Sequence, residues 1–362
     1  MRSSTTLVAG LSLLTVATAV ATAAPKKPAA RNPAATKKPG GPIVLGTRQM
    51  AGDFGKFGTT YTIGKDAPIN FTLRSAEYAV RPFSVDGNAW VPNKDQKVLV
   101  LHFTVHNPQP QEENFYWADL RFTAVDAQDK NHEYVQAITR EGTRVAVNQN
   151  LKPAQKIDLV TAILVPAQGE IPKLIVQREE GAPVIRYDLR GKVKGLPEPI
   201  ADPADATGAT ARAEVPAKAG TFYPLGEFDL KLDAVAYTDE ALLERELEAG
   251  KRYATVTVTI KNTTSEEHGY YWANFAVELI DADGEKADYT QALVKASRNE
   301  AAQGKLKPGE EGRFRFFFPV PANVEAKTLK VGLAVSVDGE SARTYAFDLA
   351  SAASGGVTAA SN

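Results

Sequence analysis

The chain contains the same sequence pattern twice. Trp117 and Trp272 stand 155 positions apart, and the other matching residues keep that offset with no gap. Structural units of solenoid proteins are only about 20–50 residues long, so a repeat of this length indicates a duplicated domain. The matching segments are Asn107, Tyr116–Ala118, Tyr134, Gln136–Ala137, Leu151–Pro153 and Val165–Ala167 in the first copy, and Asn262, Tyr271–Ala273, Tyr289, Gln291–Ala292, Leu306–Pro308 and Val320–Ala322 in the second.

The domain organisation follows from this repeat and from two Pro- and Ala-rich segments. A chain of 362 residues accommodates two domains, each with its own core. Because the segment between the copies is Ala/Pro-rich, we expect the copies to move independently. The predicted parts are a signal peptide at 1–23, a basic Pro/Ala-rich linker at 24–42, copy 1 at 43–190, a linker at 191–220, copy 2 at 221–350 and a flexible tail at 351–362.

The N-terminus is typical of a secretory signal. Arg2 precedes the apolar stretch Leu7–Val20, and Ala21-Thr22-Ala23 forms a small-residue cleavage site. This stretch is too short for a strong membrane span, and no later segment is apolar enough to cross a bilayer. The chain has no cysteine, which excludes disulfides and a cysteine-linked lipid anchor. We therefore expect a secreted protein of the periplasm, cell envelope or cell surface.

The hydrophobic pattern has a period of two residues. Leu99, Leu101, Phe103 and Val105 alternate with polar or smaller residues, and Ala254, Val256, Val258 and Ile260 repeat the pattern in the second copy. Such alternation is typical of a strand buried on one face. Turn-forming residues separate the strands. The sequence therefore predicts an all-β protein with two tandem immunoglobulin-like antiparallel β-sandwiches joined by the Ala/Pro-rich linker.

Several of these segments resemble the bacterial DUF4352 family, a telokin-like, immunoglobulin-like β-sandwich domain. The first copy matches more loosely, with Asp126–Asp129 and Pro153–Ala154 at the turns. Members of the family are mainly secreted or envelope-attached proteins of unassigned role, so the resemblance implies a fold and brings no catalytic residues. The matching segments in the second copy are Val256–Asn262, Asn274–Phe275, Leu279–Gly284, Leu306–Glu310 and Phe318–Pro321.

The aromatic pair at the same position of each copy is a candidate ligand or partner site. The residues are Tyr116 and Trp117 in the first copy and Tyr271 and Trp272 in the second. Another aromatic residue precedes each pair, so an exposed platform for a glycan or a protein is one interpretation. Core packing where a strand begins is the alternative.

Histidines are concentrated in the first copy, where His102, His106 and His132 are candidate copper ligands. Copper/zinc superoxide dismutase shares the sandwich architecture, which gives such a site a precedent. His102 and His106 share one strand face, but four residues along a strand separate their Cα atoms by about 13 Å. The alternative is that they are ordinary exposed residues, since the second copy has Thr, Lys and Ala at these positions.

The sequence is consistent with three functional hypotheses. The first is a non-catalytic binding or assembly scaffold, or an accessory subunit of a surface-layer complex, with envelope proteins or polymers as partners and no cofactor. A homo-oligomer within such an assembly is compatible with it. The alternatives are a copper-dependent, superoxide dismutase-like protein with its metal in the first copy, and a glycan or small-ligand binding module. The net charge of −1 predicts no nucleic-acid partner.

Overall fold

The computed structural model describes residues 46, 47, 49, 53–65, 67–334 and 342–350. The chain divides into two compact units, residues 1–40 and 41–362, and all the described residues belong to the second. The predicted signal peptide (1–23), basic linker (24–42) and tail (351–362) lie outside the described residues. Among the helices that the structure describes, none is long and apolar enough to cross a bilayer.

The first copy is built from strands that fold into two layers. They pair in the order β1-β2-β5-β10-β8-β7-β11-β12. Strand β8 joins the layers, because its first residues pair with β7 and its last residues pair with β10. The strands are β1 Thr60–Ile63, β2 Ile69–Ala79, β3 Phe83–Val85, β4 Asn88–Trp90, β5 Gln96–His106, β6 Glu113–Tyr116, β7 Arg121–Val125, β8 Asn131–Arg140, β9 Asn148–Leu151, β10 Lys156–Pro166, β11 Lys173–Gln177 and β12 Ile185–Asp188.

The second copy contains two five-stranded sheets, ordered β13-β24-β23-β18-β19 and β14-β15-β16-β22-β20, and a two-stranded sheet, β17-β21. A short 3-10 helix precedes β7 in the first copy (η1, Trp117–Asp119) and β18 in the second (η2, Trp272–Asn274). The all-β prediction is confirmed. The strands are β13 Glu214–Ala217, β14 Tyr223–Leu225, β15 Phe228–Thr238, β16 Lys251–Asn262, β17 His268–Tyr270, β18 Phe275–Asp281, β19 Lys286–Ala287, β20 Val294–Lys295, β21 Gly304–Leu306, β22 Glu311–Pro321, β23 Ala326–Leu333 and β24 Thr344–Asp348.

The sequence repeat is also a repeat of strand pairing. Leu101 on β5 pairs with Thr161 on β10, and the residues 155 positions later, Val256 and Phe316, pair in the same way. The apolar faces predicted on β5 and β16 are fully buried. The backbone conformation is repeated as well, because Gln136 and its counterpart Gln291 both have a φ of 53°.

The Ala/Pro-rich segment at 191–220 is packed rather than extended, which differs from the expected flexible linker. Leu196, Ile200, Ala211 and Val215 are buried in one hydrophobic cluster that runs through both copies. Its last residues form β13, which pairs in parallel with β24 of the second copy. Alanine and proline lose almost no side-chain entropy on burial, so a segment rich in them can pack closely against a sheet. The copies therefore form one body, and the expectation of independent movement is wrong.

Three arginines connect the two copies. Arg343 is the most buried of them, and burial lowers the pKa of its guanidinium. A buried charge is stable only when its donors are paired, so these contacts fix the relative position of the copies. Arg81 donates to both carboxylate oxygens of Asp229 at 2.5 and 3.0 Å, Arg144 donates to the carbonyl of Thr263 at 3.1 Å, and Arg343 donates to the carbonyls of Lys94 and Gln96 at 3.2 and 3.0 Å.

One turn has different chemistry in the two copies and gives a stability prediction. Ala154 has a φ of 62°, whereas its counterpart Gly309 has a φ of 76°. A Cβ strains this left-handed conformation, so Ala154→Gly should raise the free energy of unfolding by about 0.5–1 kcal/mol. Gly309→Ala should lower it by about 1 kcal/mol through backbone strain alone, since an added Cβ would meet no atom within 4 Å. Urea denaturation measures both changes, and a destabilising Ala154→Gly would contradict the argument.

Candidate functional site

The two Tyr-Trp pairs lie at the start of the short 3-10 helices. The backbone N–H of Tyr116 donates to the Asp119 carboxylate at 3.0 Å, and that of Tyr271 donates to the Asn274 side chain at 2.7 Å. These contacts close the first turn and hold the aromatic rings at the surface. Tyr116 is 42% exposed, Tyr271 48% and Trp272 41%. Exposure of this size is what a binding platform requires, and the binding role itself stays a prediction.

Trp117 differs from its counterpart Trp272, because it is half-buried and lines an open groove. We call this feature the Trp90–Trp117 groove. It occupies about 690 Å³ on the outer surface of the first copy. Trp90 on β4 and Tyr134 on β8 provide its other aromatic surfaces. The remaining lining residues are Val85, Asp86, Asn88, Glu133, Val135, Gln136, Ala137, Ala146 and Leu164.

Sequence reasoning missed Trp90. It lies in the β3–β4 hairpin, inside the segment that connects β2 to β5, and no tryptophan occupies the corresponding segment of the second copy. A large aromatic residue outside the repeat is a usable signal, because the shared framework of the two copies does not require it. Trp117, in contrast, belongs to the repeat, because the second copy has Trp272 at the same position. The structure brings these two tryptophans to one site.

The second copy closes the corresponding surface with its own side chains. Leu242, in the segment between β15 and β16, is buried against Ala292, Val294 and Phe317. In the first copy the residue at the position of Phe317 is Ala162, and Ala137, the counterpart of Ala292, lines the groove. The larger phenylalanine and the inserted leucine fill space in one copy that is open in the other.

His102 lies in a network of charged side chains on the outer face of the first copy. Its Nδ1 is 2.7 Å from Oε1 of Glu141, and its Nε2 is 3.7 Å from Oε1 of Glu77. Glu141 also pairs with Arg74 at 2.8 Å. The imidazole is therefore placed between two carboxylates, one of which is already neutralised by an arginine.

His106 and His132 make separate local contacts. The side-chain amide nitrogen of Asn70 lies 3.0 Å from Nδ1 of His106. Burial, followed by the charge of Lys156, lowers the pKa of His106. Nε2 of His132 lies 2.8 Å from Oδ2 of Asp126, and this hydrogen bond lowers the pKa of the Asp126 carboxyl. The ring of His106 is oriented by a side chain on an adjacent strand, and that of His132 by a side chain in the turn that follows β7.

The three histidines do not converge. Val160 on β10 pairs with His102 on one side and with Thr139 on the other. His132 lies seven residues from Thr139 along β8, a path of about 20 Å. Within the part of the chain that the structure describes, no group of three or more His, Cys, Asp or Glu side chains is arranged to hold a metal ion. The copper hypothesis stays a prediction from the sequence, with no observed cluster to support it.

Comparison with known protein families gives a match for the second copy. Residues 225–340 match the family model described as a domain of unknown function (DUF4352). This part of the chain is similar to DUF4352 domains, and the match covers less than half of the chain. The match includes all of Tyr253–Val320, so the resemblance predicted from the sequence is confirmed there. No curated protein matches the chain significantly.

Solved structures from other bacteria show local similarity to this chain at low sequence identity. An uncharacterized β-sandwich protein from Clostridium difficile 630 is 15% identical, with a TM-score of 0.28, and the alignment covers 38% of this chain and 95% of that one. The yjhA protein from Bacillus subtilis is 16% identical, with a TM-score of 0.26, and the alignment covers 36% of this chain and 98% of that one. A conserved hypothetical protein from Bacillus anthracis is 19% identical, with a TM-score of 0.24, and the alignment covers 32% of this chain and 89% of that one.

Proposed function

We propose that this protein is an exported, non-catalytic binding protein of the cell envelope that acts as a rigid scaffold or as an accessory subunit of a surface-layer complex. The observation that carries the proposal is the union of the two copies by a common hydrophobic cluster and three arginine contacts. A rigid body presents its two aromatic pairs at a fixed separation. When a partner contacts both pairs, the scaffold therefore loses little conformational entropy on binding.

The exposed aromatic residues supply the contact surface in this proposal. Tyrosine and tryptophan are enriched at the centres of protein interfaces, because they contribute large contact areas with few rotatable bonds. Tyr116, Tyr271 and Trp272 are among the few large hydrophobic residues that are exposed in the described part of the chain. The partner class that suits this surface is an envelope protein or polymer with apolar or sugar-ring surfaces.

Co-sedimentation with isolated cell envelopes tests the proposal. We expect the mature protein to sediment with an envelope fraction and the double variant Tyr116→Ser/Tyr271→Ser to bind at least about tenfold more weakly, since two anchor side chains are truncated. Phe54→Ser is the matched control, because Phe54 is similarly exposed (47%) but lies outside the aromatic pairs. Wild-type protein that stays in the supernatant with every envelope fraction would overturn the function, and equal binding of the double variant would overturn the assigned surface.

A further inference from the structure

The walls of the Trp90–Trp117 groove are held in place before any ligand arrives. The β3–β4 hairpin, which carries Trp90, is fixed at its tip by two hydrogen bonds. The backbone N–H of Asp86 donates to the carbonyl of Arg144 at 2.8 Å, and the N–H of Ala146 donates to the Asp86 carboxylate at 3.2 Å. Phe83 packs beside Trp90, with ring centroids 6.3 Å apart. A preformed groove avoids the entropy of ordering a loop on binding.

The opposite wall is fixed as firmly. The backbone N–H of Trp117 donates to the carbonyl of Val147 at 3.0 Å, and Tyr116 packs edge-on against the indole of Trp117 at 6.4 Å. Tyr134 is buried, so only part of its ring faces the groove. Two indole rings and a phenol therefore supply aromatic surface from three separate elements, β4, η1 and β8.

The chemistry of the lining selects a class of ligand. Aromatic faces bind the C–H surfaces of pyranose rings, because those faces carry a negative quadrupole and the C–H bonds point positive hydrogens at them. Asp86, Asn88, Glu133 and Gln136 are exposed at the groove. Their carboxylates accept hydrogen bonds and their amides both donate and accept, which matches the alternating donors and acceptors of sugar hydroxyl groups.

The charge of the lining excludes acidic ligands. Two carboxylates line the groove and none of its lining residues is basic, so an anion would be repelled rather than bound. The volume of about 690 Å³ lies within the range of small-molecule sites, and the groove is open to solvent rather than enclosed. We propose that the Trp90–Trp117 groove binds a neutral oligosaccharide, with sugar rings against Trp90 and Trp117 and their hydroxyl groups bonded to the polar side chains.

The duplication supplies an internal comparison for this assignment. Leu242 and Phe317 fill the corresponding surface of the second copy, so the site belongs to the first copy alone. Trp272 keeps the aromatic position of Trp117 but is exposed, whereas Trp117 is half-buried in the groove. The two copies therefore share a framework and differ at this surface, which is where a ligand site would diverge after duplication.

Titration with soluble sugars tests the inference, which rests on the proposed binding function and names a ligand class for it. The mature protein is titrated with chitotetraose and cellotetraose, and with tetragalacturonic acid as the charged comparison, by calorimetry and tryptophan fluorescence. We expect at least one neutral sugar to bind and the acidic one not to bind. Trp90→Ala and Trp117→Ala should weaken binding about tenfold or more. Phe54→Ala, the control at an exposed aromatic residue outside the groove and outside the aromatic pairs, should leave it unchanged.

Two further variants keep the test decisive. Gln136→Gly removes a polar lining side chain at a position whose φ of 53° suits glycine, so it should weaken binding several-fold without loss of stability. Ala146→Leu narrows the groove and should also weaken binding. Absence of binding to every neutral sugar, or an equal loss in Phe54→Ala, would overturn the inference. Sedimentation with envelopes that persists in Trp90→Ala would leave the proposed function standing, so the two failures are distinguishable.

Discussion

Replacement of Lys97 by Met should lower the free energy of unfolding by about 3 kcal/mol or more. The side chain is fully buried, and its Nζ donates to the carbonyls of Ala167, Gly169 and Ala209. The ammonium also lies 4.3 Å from the centre of the Tyr78 ring. Methionine fills the same volume but removes the donor from the carbonyls of Gly169 and Ala209, whereas the Ala167 carbonyl still accepts from the N–H of Ala211. Each unpaired buried acceptor costs about 1–3 kcal/mol. Urea denaturation followed by circular dichroism measures the loss.

The second copy provides the control for this prediction. Arg252 occupies the position of Lys97, lies 3.8 Å from the centre of the Tyr237 ring and donates to the carbonyl of Val324 at 3.0 Å. Because that contact serves a single carbonyl, Arg252→Met should cost about 1–2 kcal/mol, less than Lys97→Met. A larger loss for Arg252→Met would contradict the assigned role of the three carbonyls.

The pH dependence of stability tests the same contact without truncating it. Burial lowers the pKa of Lys97 to about 8, whereas a lysine in the unfolded chain keeps a pKa of about 10.4. Between these values the unfolded chain binds more protons, so the free energy of unfolding should rise from pH 8 to 9.5, by about 2 kcal/mol. Lys97→Met should lack this rise. A wild-type profile that is flat over this window would contradict it.

The regular features of the fold were predictable because they are periodic. The alternation of Leu99, Leu101 and Phe103 marks a buried strand face without knowledge of its neighbours, and the constant offset between Trp117 and Trp272 marks the duplication directly. The structure confirms the all-β class and the buried faces. These signals are local or repeated, so they survive in a single sequence.

The packed linker and the groove were not predictable in the same way. Residues 191–220 have the composition of a tether, and only their contacts with both copies show how the small side chains are buried. The groove depends on where the β3–β4 hairpin lies against β8, a contact between residues distant in the sequence. The sequence contains Trp90 but gives no indication that it faces Trp117. Tertiary contacts of this kind have no periodic signature.

The buried asparagine at the end of the central strand of each copy should also be costly to replace. Asn262 is fully buried, and its amide donates to the carbonyls of Glu266 at 2.6 Å and Leu306 at 2.8 Å, while its side-chain oxygen accepts from the N–H of Thr264 at 2.9 Å. Asn107 makes the same three kinds of contact in the first copy. The pattern joins the loop after the central strand to the neighbouring short strand.

Asn262→Leu should therefore lower the free energy of unfolding by about 3 kcal/mol, because a leucine of similar volume satisfies none of the three backbone groups. Asn107→Leu should have a similar effect. The exposed Asn114, which bonds only to side chains, is the matched control, and Asn114→Leu should change stability by less than about 0.5 kcal/mol. Hydrogen exchange should locate the damage in the loop before Tyr270, since this loop loses its anchor. A small loss of stability in Asn262→Leu, equal to that in Asn114→Leu, would contradict this argument, because it would show that water replaces the lost contacts.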